Sequence, residues 1–395
     1  MPEKKKDLAK GHTAFWNDPE KRSMLYQIIM LVFLIICGAY IVSNTLHNLD
    51  SRGIKTGFDF LWSEAGFGIN QSLIEYDESH SYGRTFFVGL LNTILVASIG
   101  IIIATVLGFI IGIARLSNNW LIAKISAVYI ETFRNIPLLL QIFFWYFAVL
   151  RPLPRPKQSI EFFDVFFLNN RGLALPDPNF VEGFGWVLVA FVLSLLVVFG
   201  VRRWAKVRQD ATGKSFPIVS ISLAIMLGLP ALTYFIVGSP INWEVPTLRG
   251  FNYRGGITVI PEFLALLLAL SVYTAAFIAE IVRSGILSIN KGQTEASLAL
   301  GLSRPKMLKL VIIPQAMRVI IPPLTSQYLN LVKNSSLATA IGYPDLVSVF
   351  AGTTLNQTGQ AIEVIAMTMA VYLTLSLLIS LFMNWYNKRI ALVER

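Results

Sequence analysis

Residues 295–314, EASLALGLSRPKMLKLVIIP, form a polar-punctuated stretch between two long apolar runs. Gly301 suits the left-handed position that ends a helix, so one short helix is predicted before it. A second short helix is predicted from Ser303, with Pro305 in its first turn, where the missing amide costs little. Pro314 is expected to end this second helix. The stretch therefore predicts two short helices joined by a bend.

Both short helices carry a further sequence signal. Asn290 followed three residues later by Gln293 is typical of a capped helix start. In the second helix apolar residues recur on one side, opposite three cations, which predicts one face on the protein body and one toward water. The apolar residues are Met307, Leu308, Val311 and Ile312, and the cations are Arg304, Lys306 and Lys309. An amphipathic linker in any polytopic membrane protein has the same pattern.

Composition places most of the chain in lipid. Of 395 residues, 54% are hydrophobic and 14% charged, with a mean hydropathy of +0.61, whereas soluble domains have about 25% charged residues. Apolar runs of roughly 17 to 25 residues cross a bilayer as helices, because lipid offers the backbone no hydrogen-bond partners. The eight such runs lie near 24–46, 86–114, 120–150, 184–201, 216–238, 260–284, 318–340 and 363–385. The chain is therefore predicted to be an all-α polytopic membrane helix bundle with about eight transmembrane helices.

Lysine and arginine are unequally divided between the two sets of loops. The set that includes both termini holds 22 of the 33 cations, the opposite set holds nine, and two lie inside spans. Cytoplasmic loops carry the excess of cations, so both termini and residues 295–314 are predicted to be cytoplasmic. The same rule accounts for the formal net charge of +10. No base-stacking module or continuous basic face indicates a nucleic-acid partner.

The second apolar run contains a pair of glycines at helical spacing. Gly108 and Gly112 form a G-x-x-x-G pair, which allows another helix to approach closely. This pair is expected to relieve crowding inside one subunit rather than to form a dimer seam.

The 295–314 segment matches the spacing of a known motif at Glu295, Ala296, Gly301 and Pro314. It resembles the EAA loop of ATP-binding-cassette (ABC) importer permeases, whose pattern is E-A-A-x-x-x-G followed by I-x-L-P. Ser297 at the third position is a mild departure. By this resemblance Glu295 contacts the groove of a separate ATPase subunit, and Gly301 forms the turn between two coupling helices.

Two further stretches resemble the polar amino-acid permeases of this family. ETFRNIPLLLQIFFWYF, residues 131–147, resembles R-G-T-P-L-x-x-Q, with Asn135 in place of the glycine. LVKNSSLATAIG, residues 331–342, resembles L-K-D-T-S-L-x-x-x-I-G, with Asn334 in place of the common aspartate.

The resemblance divides the chain into four parts. Residues 84–150 and 258–395 are expected to be the two parts of an ABC-importer permease core, with the EAA loop in the second. Residues 1–83 are expected to hold a cytoplasmic tail, the first transmembrane helix and an external loop. Residues 151–257 are an insertion with two extra transmembrane helices. The leading helix and the insertion resemble the long permeases for general L-amino acids or for glutamate, glutamine and aspartate.

Two cations, Arg134 and Lys333, lie inside apolar spans, where each costs roughly 2.5 to 3.5 kcal/mol at a helix centre unless a partner or water compensates it. For Arg134 the compensation is either an ion pair with Glu131, three residues earlier on the same helical face, or contact with a substrate. Pro137 frees the carbonyl of Phe133 and is expected to kink the helix where protein or a wet cavity covers that carbonyl.

Lys333 has no acidic neighbour within four residues in the sequence. Its counter-charge comes either from another helix or from the carboxylate of an amino-acid substrate, with Asn334, Ser335 and Ser336 as hydrogen-bonding neighbours. Asn334 in place of the family aspartate removes a negative charge beside this lysine, which favours neutral or acidic L-amino acids over cationic ones. Lys333, Asn334 and Arg134 are the candidate substrate-binding residues.

The resemblance implies the permease subunit of an ATP-driven amino-acid importer in the bacterial inner membrane. The sequence has no G-x-x-x-x-G-K-[ST] phosphate loop, so no enzymatic site is expected, and neither a cofactor nor a metal is expected. Expected partners are an ABC ATPase subunit, a second related permease chain, a periplasmic amino-acid-binding protein and the amino acid itself. The alternative is an ion-coupled secondary amino-acid transporter, in which buried acidic relays are typical. Glu131 is the only acid that the sequence places deep in a span.

Overall fold

A computed structural model describes residues 19–51, 53, 56–214 and 216–390 of the chain. The expectations for the tail before residue 19 and for the last five residues lie outside the described residues. The helices are α1 (Pro19–Ser51), α2 (Tyr82–Ala114), α3 (Trp120–Asn135), α4 (Leu138–Phe143), α5 (Phe184–Thr212), α6 (Ile218–Ile236), α7 (Pro261–Leu287), α8 (Lys291–Ala299), α9 (Arg304–Met307), α10 (Ile313–Asn334), α11 (Leu355–Thr358) and α12 (Ala361–Ile390).

Seven of the described helices are long and apolar enough to span a membrane, or eight if the bent pair of α3 and α4 counts as one span. The prediction of a polytopic helix bundle with about eight spans is therefore confirmed. The spans differ in how much of each is buried. In the most apolar 18-residue stretch of each helix, 61% of the residues of α7 are buried and none of those of α1. The core of the bundle is built around α7.

The central contact of the bundle is between α2 and α7. A methyl group on Gly108 would lie 2.6 Å from Cβ of Ile278, and one on Gly112 would lie 2.6 Å from the carbonyl oxygen of Ala279. The two backbones approach this closely because neither glycine has a side chain. The G-x-x-x-G pair thus serves packing inside one chain, as the sequence predicted.

The predicted third span, residues 120–150, is broken at Pro137. The axis of α3 makes an angle of 106° with the axis of the segment Leu138–Leu150, which is α4 continued by a π-helical turn. Gln141 is buried, and its side-chain amide donates to the carbonyls of Phe133 and Ile136, both at 3.0 Å. The kink predicted at Pro137 is therefore present, and a buried side chain covers the carbonyl that the proline frees.

The insertion between α4 and α7 contains the hairpin of α5 and α6, and also short strands that the sequence did not predict. The strands are β1 (Ile160–Phe162), β2 (Phe166–Asn169), β3 (Gly172–Leu175), β4 (Asp177–Phe180), β5 (Ile241–Glu244), β6 (Thr247–Arg249), β7 (Asn252–Arg254) and β8 (Ile257–Val259). They form an antiparallel sheet in the order β1-β2-β3-β8 and two hairpin-like pairs, β4 with β5 and β6 with β7. Because β8 runs directly into α7, this sheet is anchored to the core of the bundle.

Candidate functional site

The bend in the 295–314 segment has the predicted geometry at its first helix. The side chain of Asn290 accepts a hydrogen bond from the amide of Gly292 at 2.8 Å and caps α8. Gly301 has a φ of +75°, and the amide of Leu302 donates to the carbonyl of Ser297 at 3.1 Å. This is the left-handed helix ending that a glycine favours. Gln293 does not complete the cap, because its side chain instead accepts from Gln315 at 3.3 Å.

The prediction that Pro314 ends a second short helix is wrong. Helix α9 continues through a π-helical turn, Leu308–Ile312, into α10, and the whole forms one candidate span, Arg304–Ile341, of 38 residues. Pro314 stands in the first turn of α10. The preceding π turn is wider than an α turn and uses a different hydrogen-bond spacing, so the missing amide and the proline ring are accommodated there.

Glu295 and Ala296 lie exposed on α8, while Ser297 behind them is buried. Leu300, at the end of the same helix, is 82% exposed. The rest of the described chain covers neither the carboxylate of Glu295 nor the side chain of Leu300. The bend thus leaves both a charge and an apolar side chain exposed.

Helix α10 has an apolar buried face, and its exposed face is apolar up to Pro323 and polar beyond it. The buried residues are Ala316, Ile320, Ile321, Leu324, Leu331 and Val332. Ser326, Asn330 and Lys333 are exposed at spacings of four and three residues, so they form one stripe along the helix. We call these three residues the polar stripe. A polar face on a membrane helix points to a wet cavity or to another subunit rather than to lipid.

Lys333 lies at mid-bundle depth, because Leu331, two residues earlier, packs within 3.4 Å of the place where a side chain of Gly100 would begin, near the middle of α2. In the described part of the chain no carboxylate lies within ion-pair distance of Lys333. Asn334 beside it is half-buried. The described residues therefore supply no counter-charge to Lys333.

Arg134 is not paired with Glu131 in the described chain, and both residues are exposed. The guanidinium of Arg134 instead lies 5.2 Å from the ring centroid of Phe277 on α7, a cation–π contact. The local ion pair considered from the sequence is thus not formed. The structure records no contact that brings Arg134 to Lys333 or Asn334.

Asp345 is a buried acid that no sequence motif singled out. It has no exposed surface, accepts a hydrogen bond from the amide of Ser348 at 2.9 Å, and receives the hydroxyl of Tyr372 at 3.3 Å. The neighbouring Tyr343 donates to the carbonyl of Asn92 at 3.0 Å. Asp345 therefore caps the helical turn that follows it and helps to tie that turn to α2 and α12. An acid three residues after the 331–342 motif was the available signal.

Comparison with known proteins places the chain in a family. Residues 211–392 match the family model of the binding-protein-dependent transport system inner membrane component. A putative amino-acid ABC transporter permease protein, YhdX of Escherichia coli strain K12, is 56% identical over 99% of both chains. The general L-amino acid transport system permease protein AapQ of Rhizobium johnstonii is 53% identical over 96% of this chain and 94% of its own.

A further relative is the glutamate/glutamine/aspartate/asparagine transport system permease protein BztB of Rhodobacter capsulatus, 44% identical over 96% of both chains. Among solved structures, an amino acid ABC transporter crystallised with histidines shares 19% identity, with a TM-score of 0.45, over 78% of this chain and 95% of that one. The identity to the three relatives extends over nearly the full length, through the leading helix and the insertion. The chain belongs to the amino-acid ABC transporter permeases, membrane components of importers that work with an ATPase and other subunits.

Proposed function

We propose that this chain is the passive, alternating-access half of an inner-membrane amino-acid importer, with both termini in the cytoplasm and no ATPase site of its own. A separate ATPase subunit docks on the 295–314 segment, in which Glu295 and Ala296 form the contact, Gly301 forms the bend, and Pro314 lies in the helix that carries the movement onward. The observation that carries this proposal is the continuous helix Arg304–Ile341, which joins the docking bend to the polar stripe of α10. Movement of the bend is therefore delivered directly to the mid-membrane residues.

The docking role is tested by co-purification. Glu295→Lys reverses an exposed charge on α8 without disturbing a buried group, so the ATPase subunit is expected to be lost from the purified complex while the permease keeps its thermal stability. Glu161→Lys, the same change at an exposed position of β1, is the matched control and should retain the ATPase. Retention of the ATPase by Glu295→Lys would contradict the proposed docking surface.

The same proposal assigns the substrate path to the exposed face of α10. Lys333 meets the substrate carboxylate with Asn334 as a hydrogen-bonding neighbour, and Arg134 lies along the same route. An exposed cation at mid-bundle depth supports this role, because a lipid-facing lysine there would cost roughly 2.5 to 3.5 kcal/mol. The names of two relatives refer to general L-amino acids and to glutamate, glutamine, aspartate and asparagine, which supports neutral and acidic L-amino acids as substrates.

Uptake into vesicles tests the substrate role. Lys333→Ala is expected to abolish ATP-driven uptake of glutamate and glutamine while the ATPase subunit stays bound. Lys388→Ala, which removes an exposed lysine at the end of α12, is the matched control and should transport normally. Normal uptake by Lys333→Ala, with the complex intact, would refute the carboxylate contact.

The remaining partners complete the importer. A second, related permease chain forms the other wall of the cavity, and an external amino-acid-binding protein delivers the substrate. Residues 84–150 and 258–395 form the two parts of the core, residues 1–83 contribute the tail, first span and external loop, and the 151–257 insertion lies between the core parts. The ion-coupled alternative is not favoured, since the relatives are ABC permeases.

A further inference from the structure

The insertion contains a basic pocket that none of the roles above uses. Its volume is 810 Å³, and its wall carries the cations Arg155, Lys157 and Arg171, together with Asn170 and Phe251. All three cations are exposed side chains. No acidic residue lines the pocket. By the predicted topology this part of the insertion is external.

The frame of the pocket is held by short-range bonds and prolines. The amide of Asn170, in the turn between β2 and β3, donates to the carbonyl of Pro154 at 3.0 Å, and the amide of Gln158 donates to that of Arg155 at 2.8 Å. The proline rings at 154 and 156 fix φ along the same wall. The backbone that carries the three cations is therefore ordered before any partner arrives, which lowers the entropic cost of binding.

The cations are held beside one another without a counter-charge. In the described part of the chain none of the three forms an ion pair with a carboxylate, and Lys157 lies 5.0 Å from the ring centroid of Phe251. Like charges around one concavity repel each other, and an anionic group inside it relieves that repulsion. The pocket is thus suited to an anion.

The chemistry of the wall selects among anions. A free amino acid carries an ammonium group as well as a carboxylate, and the wall offers no acidic side chain to receive it. The wall does offer exposed apolar surface from Phe251, which is 78% exposed. Carboxylates presented on a protein loop with apolar neighbours match both features.

We propose that this pocket binds an acidic surface loop of the amino-acid-binding protein, so that the insertion attracts the binding protein and positions it on the external face. This inference rests on the proposed function. Electrostatic complementarity of exposed charges acts mainly on the rate of encounter and weakens as salt rises. The pocket therefore affects how fast the binding protein engages, and so the concentration at which it acts, but not ATP hydrolysis itself.

The test uses the complete complex of permease chains and ATPase in nanodiscs, with the purified substrate-loaded binding protein of the same system as the probe. ATPase stimulation is measured against the concentration of this probe. The variant Lys157→Gln with Arg171→Gln is expected to raise the half-stimulating concentration by about fivefold at about 0.1 M ionic strength, with a smaller shift at higher salt. Basal ATPase activity and thermal stability should stay unchanged.

The matched control removes two exposed cations from the neighbouring strands of the same insertion. Arg249→Gln with Arg254→Gln, outside the pocket wall, is expected to leave the half-stimulating concentration as in the unmodified complex. Equal values for the two double variants would overturn the inference and leave the proposed function intact. Failure of the binding protein to stimulate the unmodified complex would instead overturn the proposed function.

An anionic lipid headgroup is the competing occupant, and the bilayer composition distinguishes it. The measurement is repeated in nanodiscs of phosphatidylcholine alone and of phosphatidylcholine with phosphatidylglycerol. A shift of equal size in both supports the protein loop. A shift that appears only with phosphatidylglycerol refutes it and assigns the pocket to lipid.

Discussion

Replacing Gly112 by alanine is the sharpest test of the packing between α2 and α7. The new methyl group would lie 2.6 Å from the carbonyl oxygen of Ala279 and 2.8 Å from Cβ of Val282. The nearer atom belongs to the backbone of a buried helix and is unable to rotate away, so α2 and α7 have to separate. Overpacking of this kind costs about 1 to 3 kcal/mol. The same substitution gains about 1 kcal/mol of helix propensity, which partly masks the clash.

A second glycine removes that ambiguity. Gly200, inside α5, has no atom within 4 Å of the position of an added methyl group, so Gly200→Ala gains the propensity without the clash. The difference between the two variants therefore isolates the packing term, about 1 to 3 kcal/mol. At about 2 °C per kcal/mol for a large domain, Gly112→Ala should unfold at least about 2 °C below Gly200→Ala. Thermal unfolding of both purified variants in one detergent measures this, and equal Tm values would refute the packing argument.

Two further predictions concern buried hydrogen bonds and use the same thermal assay. Gln141→Leu leaves the carbonyls of Phe133 and Ile136 without their donor and should cost about 1 to 3 kcal/mol of folding free energy per carbonyl. Gln209→Leu, at an exposed position of α5, is the control and should be near neutral. Equal stability of the two variants would show that the break at Pro137 does not need its side-chain donor. Asp345→Ala removes the acceptor of the Ser348 amide and should cost about 0.5 to 2 kcal/mol of folding free energy. Asp345→Asn keeps an acceptor oxygen and should cost less. The reverse order of stability would contradict the capping role.

Local chemistry made much of the fold predictable. Asn290 and Gly301 have their structural roles because a cap and a left-handed turn depend on residues a few positions away. The kink at Pro137 follows in the same way from a missing amide. Pro314 shows the limit of this reasoning, since its effect depends on whether the preceding turn is α-helical or π-helical, and the sequence does not state that.

The remaining features depend on distant partners. Strands of three or four residues have too few positions to show an alternating pattern, so β1 to β8 were not anticipated. The role of Asp345 depends on its hydrogen bond with Tyr372 and on the bond from the neighbouring Tyr343 to Asn92. Both partners are far from Asp345 in the chain. The sequence indicated only one residue of the polar stripe, because Lys333 is a single charge in an apolar run. Ser326 and Asn330 are recognised as its neighbours on the same face only once the buried face of α10 is known.

The continuous helix from Arg304 to Ile341 also has a mechanical consequence. At 1.5 Å per residue, Arg304 and Lys333 stand about 44 Å apart along its axis. A rod of this length amplifies rotation: a tilt of about 10° about the end at Arg304 carries Lys333 sideways by about 8 Å, more than the width of an amino-acid side chain. A small push at the bend around Gly301 is thus large enough, by leverage alone, to open or close a passage beside Lys333.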